Sequence, residues 1–202
     1  MLFALFFYTK WRFGLGEVTQ HWSITSWHFF FLGAAFLLLE VQNISKAALV
    51  LGNTWEVNGV IISGILIMIL LANFTTALFP QVPLSLTYFG LISSCLLLYT
   101  LDLGDFMYLN YLSRAIVIGG LTALPIFFSG IVFIRSFADT PNKHQALGAN
   151  LMGSLTGGVL QSITFVTGIK ALLLVVAGLY LAAAIAGLIR VRTPVARQNP
   201  AL

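Results

Sequence analysis

Charged residues are scarce in this chain of 202 residues: 10 Lys and Arg and 6 Asp and Glu make up only 8% of it. Hydrophobic residues make up 59%, and the mean hydropathy is +0.97. A water-soluble domain of this size cannot cover so much apolar surface. The composition therefore excludes an ordinary soluble protein and indicates that a lipid bilayer surrounds most of the chain.

Cysteine is almost absent as well, since Cys95 is the only one. A single cysteine excludes an intrachain disulfide and a cysteine-based metal cage, so we expect Cys95 to be a small residue facing lipid or the core. The three histidines lack the spacing and the nearby carboxylates of a metal site, and no metal is predicted. The basic residues form no patch, which argues against nucleic acid as a partner.

Long apolar runs are what the sequence has in abundance. A bilayer core needs roughly 20 apolar residues in a helix, and six windows fit, at residues 26–40, 57–79, 84–101, 115–137, 141–168 and 171–188. Pro80 and Pro83 close the second window, and Thr140 with Pro141 is typical of a helix N-cap and first residue. The sequence predicts an all-α, polytopic integral membrane helical bundle of about six transmembrane helices.

The two ends of the chain are predicted to lie outside this bundle. Residues 1–25 are interpreted as an N-terminal interfacial segment, residues 26–190 as the six-helix transmembrane domain, and residues 191–202 as a cytoplasmic tail. Residues 1–8 are apolar but too short to cross, and they precede two basic residues, the reverse of the order in a cleaved signal peptide. We therefore expect the N-terminus to be retained.

Basic residues are divided unequally between the two predicted faces. Seven share the face of the termini and three lie opposite, namely Lys46, Arg114 and Lys170. Because cytoplasmic loops carry the excess of Lys and Arg, both termini are predicted to be inside, in a cytoplasmic (inner) membrane. The opposite face holds Asp102 and Asp105 in a loop whose aromatic residues are typical of a membrane interface.

Small residues at four-residue spacing predict where helices approach closely in lipid. One stripe lies on the fourth helix and another on the fifth, formed by Ala115, Gly119 and Ala123 and by Ala149, Gly153 and Gly157. We expect these two helices to contact each other, with a substrate passage between them as the alternative. Pro125 lies mid-span in the fourth helix and predicts a kink.

Polar residues interrupt the apolar run of the first predicted span. Glu40 follows a long apolar stretch, and more polar residues come next, at Gln42, Asn43, Ser45 and Lys46. An ionisable residue within a span usually faces a cavity, the bundle interior or a partner. Two interpretations stay open: a broken or hinged helix that forms a binding site, or an interfacial loop followed by a short surface helix at residues 47–51.

Amide side chains lie on or beside other spans, with Asn58 and Asn73 flanking the second and Asn150 and Gln161 on the fifth. Hydrogen bonding between helices, worth about 0.6 kcal/mol per bond, is the favoured role, and contact with a ligand is the alternative. The ligand-binding hypothesis therefore names Glu40, Asn43, Asn58 and Asn150.

His28 stands at the start of the first span, beside Trp27 and a run of three phenylalanines. Imidazole is able to ligate the magnesium of a porphyrin or chlorophyll, which makes His28 a candidate pigment ligand. The favoured interpretation is a histidine of the interfacial aromatic belt. A bound lipid or pigment is the only cofactor class that the sequence suggests.

Two stretches carry a recognisable pattern. Residues 27–73 contain WHFFFLGAAFLLLE and LGNTWEVN, and residues 124–181 contain ALGANLMGSLTGG. Both resemble the membrane region of multi-pass bacterial proteins related to spermidine synthase. The resemblance covers most of the chain and implies a set of pattern residues, namely Glu40, Asn53, Trp55, Asn58 and Asn150.

Members of that family carry a soluble aminopropyltransferase-like domain with a glycine-rich nucleotide-binding strand and acidic catalytic residues. The present sequence has none of these motifs, so the resemblance implies a second membrane half that stands alone and makes no polyamine. No nucleophile and base, nor a His–carboxylate cluster, is recognisable among its residues. We therefore expect a protein that is not an enzyme.

Two functions remain. The favoured one is an accessory or structural subunit of a larger membrane complex, with other membrane subunits or a homodimer mate as partners. Six helices are few for a transporter monomer, and half-size units usually need a second half to frame a site. The alternative is such a transporter-like half-unit, which moves a small polar or cationic solute with Glu40 in the binding region.

Overall fold

A computed structural model describes residues 22–52 and 54–192. Within these ranges the chain is helical and contains no strand, as the sequence predicts. The α-helices are α1 (Ile24–Leu51), α2 (Trp55–Leu78), α3 (Leu84–Thr100), α4 (Tyr111–Ala138), α5 (Lys143–Leu160), α6 (Thr164–Thr167) and α7 (Leu172–Arg192). Two short 3-10 helices connect them, Leu103–Tyr108 before α4 and Gln161–Ile163 before α6.

Four of these helices are long and apolar enough to span a membrane: α1, α2, α4 and α7 as far as Ile189. The helix α3 is apolar but has only 17 residues, and α5 is not in this group because polar residues such as Lys143, His144 and Asn150 interrupt it. The membrane assignment is thus supported by four helices, and the count of about six spans stays a prediction.

Side-chain caps set several helix starts. The hydroxyl groups of Ser23 and Thr54 accept hydrogen bonds from backbone amides in the first turns of α1 and α2, which is the ordinary N-cap role of these residues. The prediction that Thr140 and Pro141 open the fifth helix is wrong. The Thr140 hydroxyl donates to the Ser136 carbonyl and so belongs to the end of α4, and α5 begins at Lys143.

Helix α1 is continuous for 28 residues, through the polar stretch that was expected to break it. Neither the hinge nor the loop with a surface helix at residues 47–51 is present. The physical reason is that three polar side chains of this stretch turn into the bundle: Gln42 and Asn43 are each 1% exposed and Lys46 is 8% exposed. They fit an unbroken helix because their polar groups face protein rather than lipid.

Contacts between helices give their directions. Phe30 lies against Gly153 and Ala34 against Gly157, so α5 runs parallel to α1. The carbonyl of Ala183 meets His28 near the start of α1, while Leu172 shares a cavity with Gln42 farther along it, so α7 is antiparallel to α1.

The other helices follow the same alternation. Gly90 of α3 lies against Phe128 of α4, and Leu84 at the start of α3 lines a cavity with Ile134, so α3 and α4 are antiparallel. Trp55 and Asn73 of α2 line cavities with Ala115 and Ser129 of α4, so α2 is parallel to α4. The contacts of His28 with Ser136 and of Asn43 with Thr122 make α4 antiparallel to α1. The six long helices therefore alternate in direction along the chain, and we call the end where α1 begins the first end and the other the second end.

The small-residue stripe of α5 packs on α1 and not on α4, so the predicted pairing of the two stripes is wrong. A Cβ added at Gly153 or Gly157 would collide with the carbonyl oxygens of Phe30 and Ala34, and one added at Gly33 of α1 would collide with the Asn150 carbonyl. The α1–α5 seam is therefore backbone against backbone. Glycine is present on both helices of the seam, at Gly33 of α1 and at Gly153 and Gly157 of α5, whereas the prediction considered only the stripes on α4 and α5.

Helix α1 lies at the centre of the bundle, with contacts to α2, α4, α5 and α7. Phe29, Leu38 and Leu39 of α1 are fully buried, as is Tyr180 of α7. Helix α2 is peripheral: nine of its large apolar side chains are exposed, namely Trp55, Val60, Ile62, Leu66, Ile67, Leu70, Leu71, Phe74 and Leu78. In a membrane this surface of α2 is available to lipid or to another helix.

Candidate functional sites: two polar-lined cavities and an open groove

The residues of the predicted ligand-binding set do not converge. Glu40 is half-buried on α1 and lines none of the cavities described below, and Asn43 turns to α4. Asn58 is half-buried on α2 with a buried Oδ1 that has no partner in the described part of the chain, and Asn150 lies in the α1–α5 seam. Asn53, a pattern residue of the resemblance, lies outside the described residues.

Two of the buried polar residues of α1 connect it to neighbouring helices. The Nδ2 of Asn43 donates to the Thr122 carbonyl of α4 at 2.6 Å, and the Nζ of Lys46 donates to the Leu98 carbonyl of α3 at 2.9 Å. Leu98 belongs to the last turn of α3, whose final carbonyls have no partner within the helix. Lys46 thus places a cation at the negative end of the α3 dipole.

His28 connects α1, α4 and α7 at the first end. It is 1% exposed, with its Nδ1 2.7 Å from the Ala183 carbonyl and its Nε2 3.0 Å from the Ser136 hydroxyl. This geometry fits a neutral ring in which Nδ1 donates and Nε2 accepts. The belt interpretation is therefore wrong, and ligation of a pigment through His28 would require one of these two contacts to be broken.

A first cavity of about 350 Å³ lies between α1, α2, α4, α5 and α7, with Asn73 and Asn150 at its wall. The side chain of Asn73 bonds within its own helix, because its Nδ2 donates to the Ile69 carbonyl. Tyr180 is fully buried; its hydroxyl lies near Ser129 but has no well-aligned hydrogen-bond partner in the described part of the chain. The rest of the wall is apolar, so this cavity suits an apolar group.

A second cavity of about 700 Å³ lies at the second end, between α1, the end of α5, α6 and the start of α7. Five uncharged polar side chains reach it, namely Gln42, Ser45, Gln161, Ser162 and Thr164. We call it the Gln42 cavity. Gln42 is 1% exposed, and neither its Oε1 nor its Nε2 has a hydrogen-bond partner within the described ranges.

A third feature is an open groove of about 640 Å³ between α2 and α4, which we call the α2–α4 groove. Small residues form most of its floor, and Trp55 and Glu56 lie at its mouth on the second end; the small residues are Gly59, Ser63, Gly64, Ala115, Gly119 and Gly120. A Cβ added at any of its four glycines would meet nothing within 4 Å. This is where the predicted stripe of α4 lies, and nothing in the described chain fills it.

The Gln42 cavity was missed at the sequence level, although Gln42 itself was named as part of a polar interruption. The signal lies in helical spacing: Gln42, Asn43 and Lys46 share one face of a helix, which favours a buried polar face over a loop. The remaining wall comes from Gln161, Ser162 and Thr164, more than 100 residues later, and no local pattern joins them to α1.

No protein-family model, curated protein or solved structure matches the chain. The resemblance to the membrane region of spermidine-synthase-like proteins therefore stays a prediction.

Proposed function

We propose that this protein is a non-catalytic accessory subunit of a larger membrane complex, and that a transmembrane helix of another subunit docks in the α2–α4 groove. The observation that carries the proposal is the empty groove itself. Close van der Waals approach stabilises helix association in lipid, and small residues permit it. The α1–α5 seam shows that this chain already uses glycine in that way.

The proposed topology is six crossings with both termini in the cytoplasm of a cell with an inner membrane. The alternating helix directions support it, because α3 and α5 run between the same two ends as the four long apolar helices. Among the described residues, four basic residues lie at the first end and three at the second, namely Arg135, Lys143, Arg190 and Arg192 against Lys46, Arg114 and Lys170. The first end therefore faces the cytoplasm if the excess of basic residues over the whole chain follows the usual rule.

The residues that line the groove indicate which side chains a partner helix would present to it. A floor of glycine accepts large apolar side chains, so the partner helix presents residues such as Leu, Ile or Phe to it. Glu56 is exposed at the mouth, and a basic residue at the matching end of the partner would pair with it. Partner and groove are thus complementary in both shape and charge.

A second copy of the chain fits this groove less well. A two-fold axis along the membrane normal places equivalent residues at the same depth. Two α2 helices packed across such an axis would bring one Glu56 towards the other, and like charges near the membrane repel more strongly than in water. We therefore assign the groove to a different subunit.

The proposal is tested by purification of the tagged full chain from its native membrane in mild detergent. A fixed set of subunits should co-migrate with the wild type, and Gly119→Leu, which fills the groove, should reduce their recovery at least tenfold. Gly148→Leu is the matched control, because Gly148 also has open space around its Cα but lies on α5. Recovery of an isolated monomer or homodimer from wild type, or equal losses in both variants, would contradict the proposal.

A second candidate, the transporter-like half-unit, is favoured by Glu40. Its carboxylate lies well inside α1, half-buried, and makes no hydrogen bond or ion pair with a described residue. Such a carboxylate in a span commonly marks a solute path. In proteoliposomes that contain the full chain, Glu40→Gln should then abolish uptake of a cationic solute such as spermidine; unchanged uptake eliminates this role for Glu40.

A further inference from the structure

The wall of the Gln42 cavity includes a residue whose buried amide has no hydrogen-bond partner among the described residues. Burial of an amide without hydrogen bonds is unfavourable, and native proteins almost always provide partners for it. The adjacent Asn43 shows the ordinary case, since its Nδ2 donates to the Thr122 carbonyl. Gln42 lines the cavity, and neither its donor nor its acceptor atom, both buried, has a hydrogen-bond partner among the described residues, which indicates that something outside the described chain completes them.

The hydroxyl groups that line the cavity already donate hydrogen bonds to backbone carbonyls of the chain. Ser45 donates to the Val41 carbonyl and Ser162 to the Val159 carbonyl, and Thr164 donates to the Gln161 carbonyl. Each oxygen keeps lone pairs that accept hydrogen bonds. These three side chains are therefore suited to a ligand that donates, while Gln42 and Gln161 can both donate and accept.

Charge is missing from this wall. Among the described residues that line the cavity, none carries a formal charge. A phosphate or ammonium group placed there would lose water without gaining a counter-ion, which is costly in a site of low dielectric constant. The wall thus selects against ions and in favour of uncharged hydroxyl groups.

The remaining wall and its surroundings are apolar. Phe165, Ile169 and Leu172 complete the lining, and Phe165 and Val166 on the adjoining α6 are 95% and 88% exposed. Exposed apolar side chains on a short helix at the end of a bundle are suited to the membrane interface. A molecule with a polar head and an apolar tail would find both environments here.

From these observations we propose that the Gln42 cavity binds an uncharged, hydroxyl-bearing group of the glycerol type. Gln42 exchanges two hydrogen bonds with it, and the serine and threonine oxygens accept from its remaining hydroxyls. A neutral lipid such as a diacylglycerol and a free polyol both present this chemistry. The inference does not depend on the α2–α4 groove, which lies on another side of the bundle.

The test uses the full chain in mild detergent with three probes: dioleoylglycerol, free glycerol and dioleoylphosphatidylglycerol. A saturable rise in the melting temperature, together with a 1:1 adduct in native mass spectrometry for the lipids, measures binding. Saturation by dioleoylglycerol alone identifies a lipid as the source, and saturation by glycerol at the same site identifies a free polyol. No saturable binding of either probe, or equally tight binding of the phosphatidylglycerol, overturns the proposal.

Gln42→Met tests the site itself, because methionine keeps the length of the side chain and removes both polar atoms. The affinity for the bound probe should fall at least tenfold, whereas Gln81→Met, an exposed position beside Pro80 at the other end, should leave it unchanged. The melting temperature of the unliganded Gln42→Met variant should equal or exceed that of the wild type, since an unpartnered amide is lost. Equal affinities for all three proteins contradict the assignment.

A second variant, Gln161→Met, keeps the test decisive if Gln42→Met does not fold. Gln161→Met changes the half-buried amide on the opposite wall of the same cavity, and it should weaken the probe severalfold. If Gln161→Met folds and binds as the wild type does, the cavity is not the binding site.

Discussion

The α1–α5 seam and the α2–α4 groove are built from the same kind of sequence, small residues at helical spacing, and they differ in what faces them. At the seam, Gly153 and Gly157 meet backbone carbonyls of α1 so closely that no side chain fits. At the groove, Gly59, Gly64 and Gly119 meet nothing within 4 Å. A small-residue stripe therefore marks a close approach of helices, but it does not show whether the approaching helix belongs to the same chain.

The same contrast holds for polar residues. Three of those on α1 bind other helices, since Asn43 contacts α4, Lys46 contacts α3, and His28 contacts both α4 and α7. On α2, Asn73 donates within its own helix and Asn58 leaves its Oδ1 without a partner in the described chain. Helix α1 is thus held in the bundle by hydrogen bonds to neighbouring helices. The polar side chains Asn58 and Asn73 of α2 make no hydrogen bond to another described helix and are available for contacts with a partner.

The largest effect should come from breaking the seam. Gly153→Leu forces a side chain against the Phe30 carbonyl, and because backbone cannot move aside cheaply, the cost is at least about 3 kcal/mol. Unfolding in mixed micelles with increasing sodium dodecyl sulfate measures it. Gly148→Leu on the same helix, where space is open, should stay within about 1 kcal/mol of the wild type. Similar losses in the two variants would mean that α5 does not pack on α1 through Gly153.

Replacement of His28 should have the next largest effect. His28→Phe keeps an aromatic ring of similar shape but deprives the Ala183 carbonyl and the Ser136 hydroxyl of a partner, which costs about 1–3 kcal/mol. The matched change on the peripheral helix, Asn73→Leu, removes only a bond within α2 and should cost less than about 0.5 kcal/mol. The same unfolding assay compares the two variants. A larger loss of unfolding free energy for Asn73→Leu than for His28→Phe would contradict the conclusion that side-chain hydrogen bonds of α1 stabilise the bundle.

Lys46→Met should destabilise the chain by about 1–2 kcal/mol, because it removes a charged donor from the carbonyl of Leu98 at the end of α3. Lys170→Met changes an exposed lysine at the same end of the bundle and should be nearly neutral. Thermal unfolding in detergent measures both. Equal melting temperatures for the two variants would show that Lys46 does not stabilise α3.

The smallest effect on stability should come from filling the groove. Gly119→Leu meets no atom of its own chain and improves helix propensity, so the free energy of unfolding should change by less than about 1 kcal/mol. Its consequence should instead be the loss of co-purifying subunits. A strong loss of stability would show that the chain itself closes the groove.

Much of the fold follows from local sequence. The apolar windows of α2 and α4 and the proline boundary after α2 are correct within a few residues, because length and hydrophobicity alone define such helices. The error at Gln42–Lys46 has a clear cause. The polar residues were interpreted as a break in the helix, whereas a polar face spaced as on a helix also fits an unbroken helix buried against its neighbours.

The candidate sites depend on contacts that local patterns do not contain. Asn150 was named for its polarity, and the structure places it beside Gly33, at a distance of more than 100 residues in sequence. The stripe of α5 was found, but its partner on α1 was not, because the small residues Gly33, Ala34 and Ala35 are adjacent in sequence rather than four residues apart. Pairing of helices is a property of the assembled bundle, and one sequence shows only the surfaces that are available.

Cysteine cross-linking in the native membrane tests the distinction between a closed seam and an open groove most directly. In a Cys95→Ser background, Gly120→Cys places a thiol in the α2–α4 groove and Gly148→Cys places one on the outer side of α5. We expect a thiol cross-linker to join Gly120→Cys to a different subunit, and that Gly119→Leu in the same chain abolishes the product while Gly148→Cys gives none. A cross-link only to a second copy of the chain, or equal products at both positions, would contradict the account.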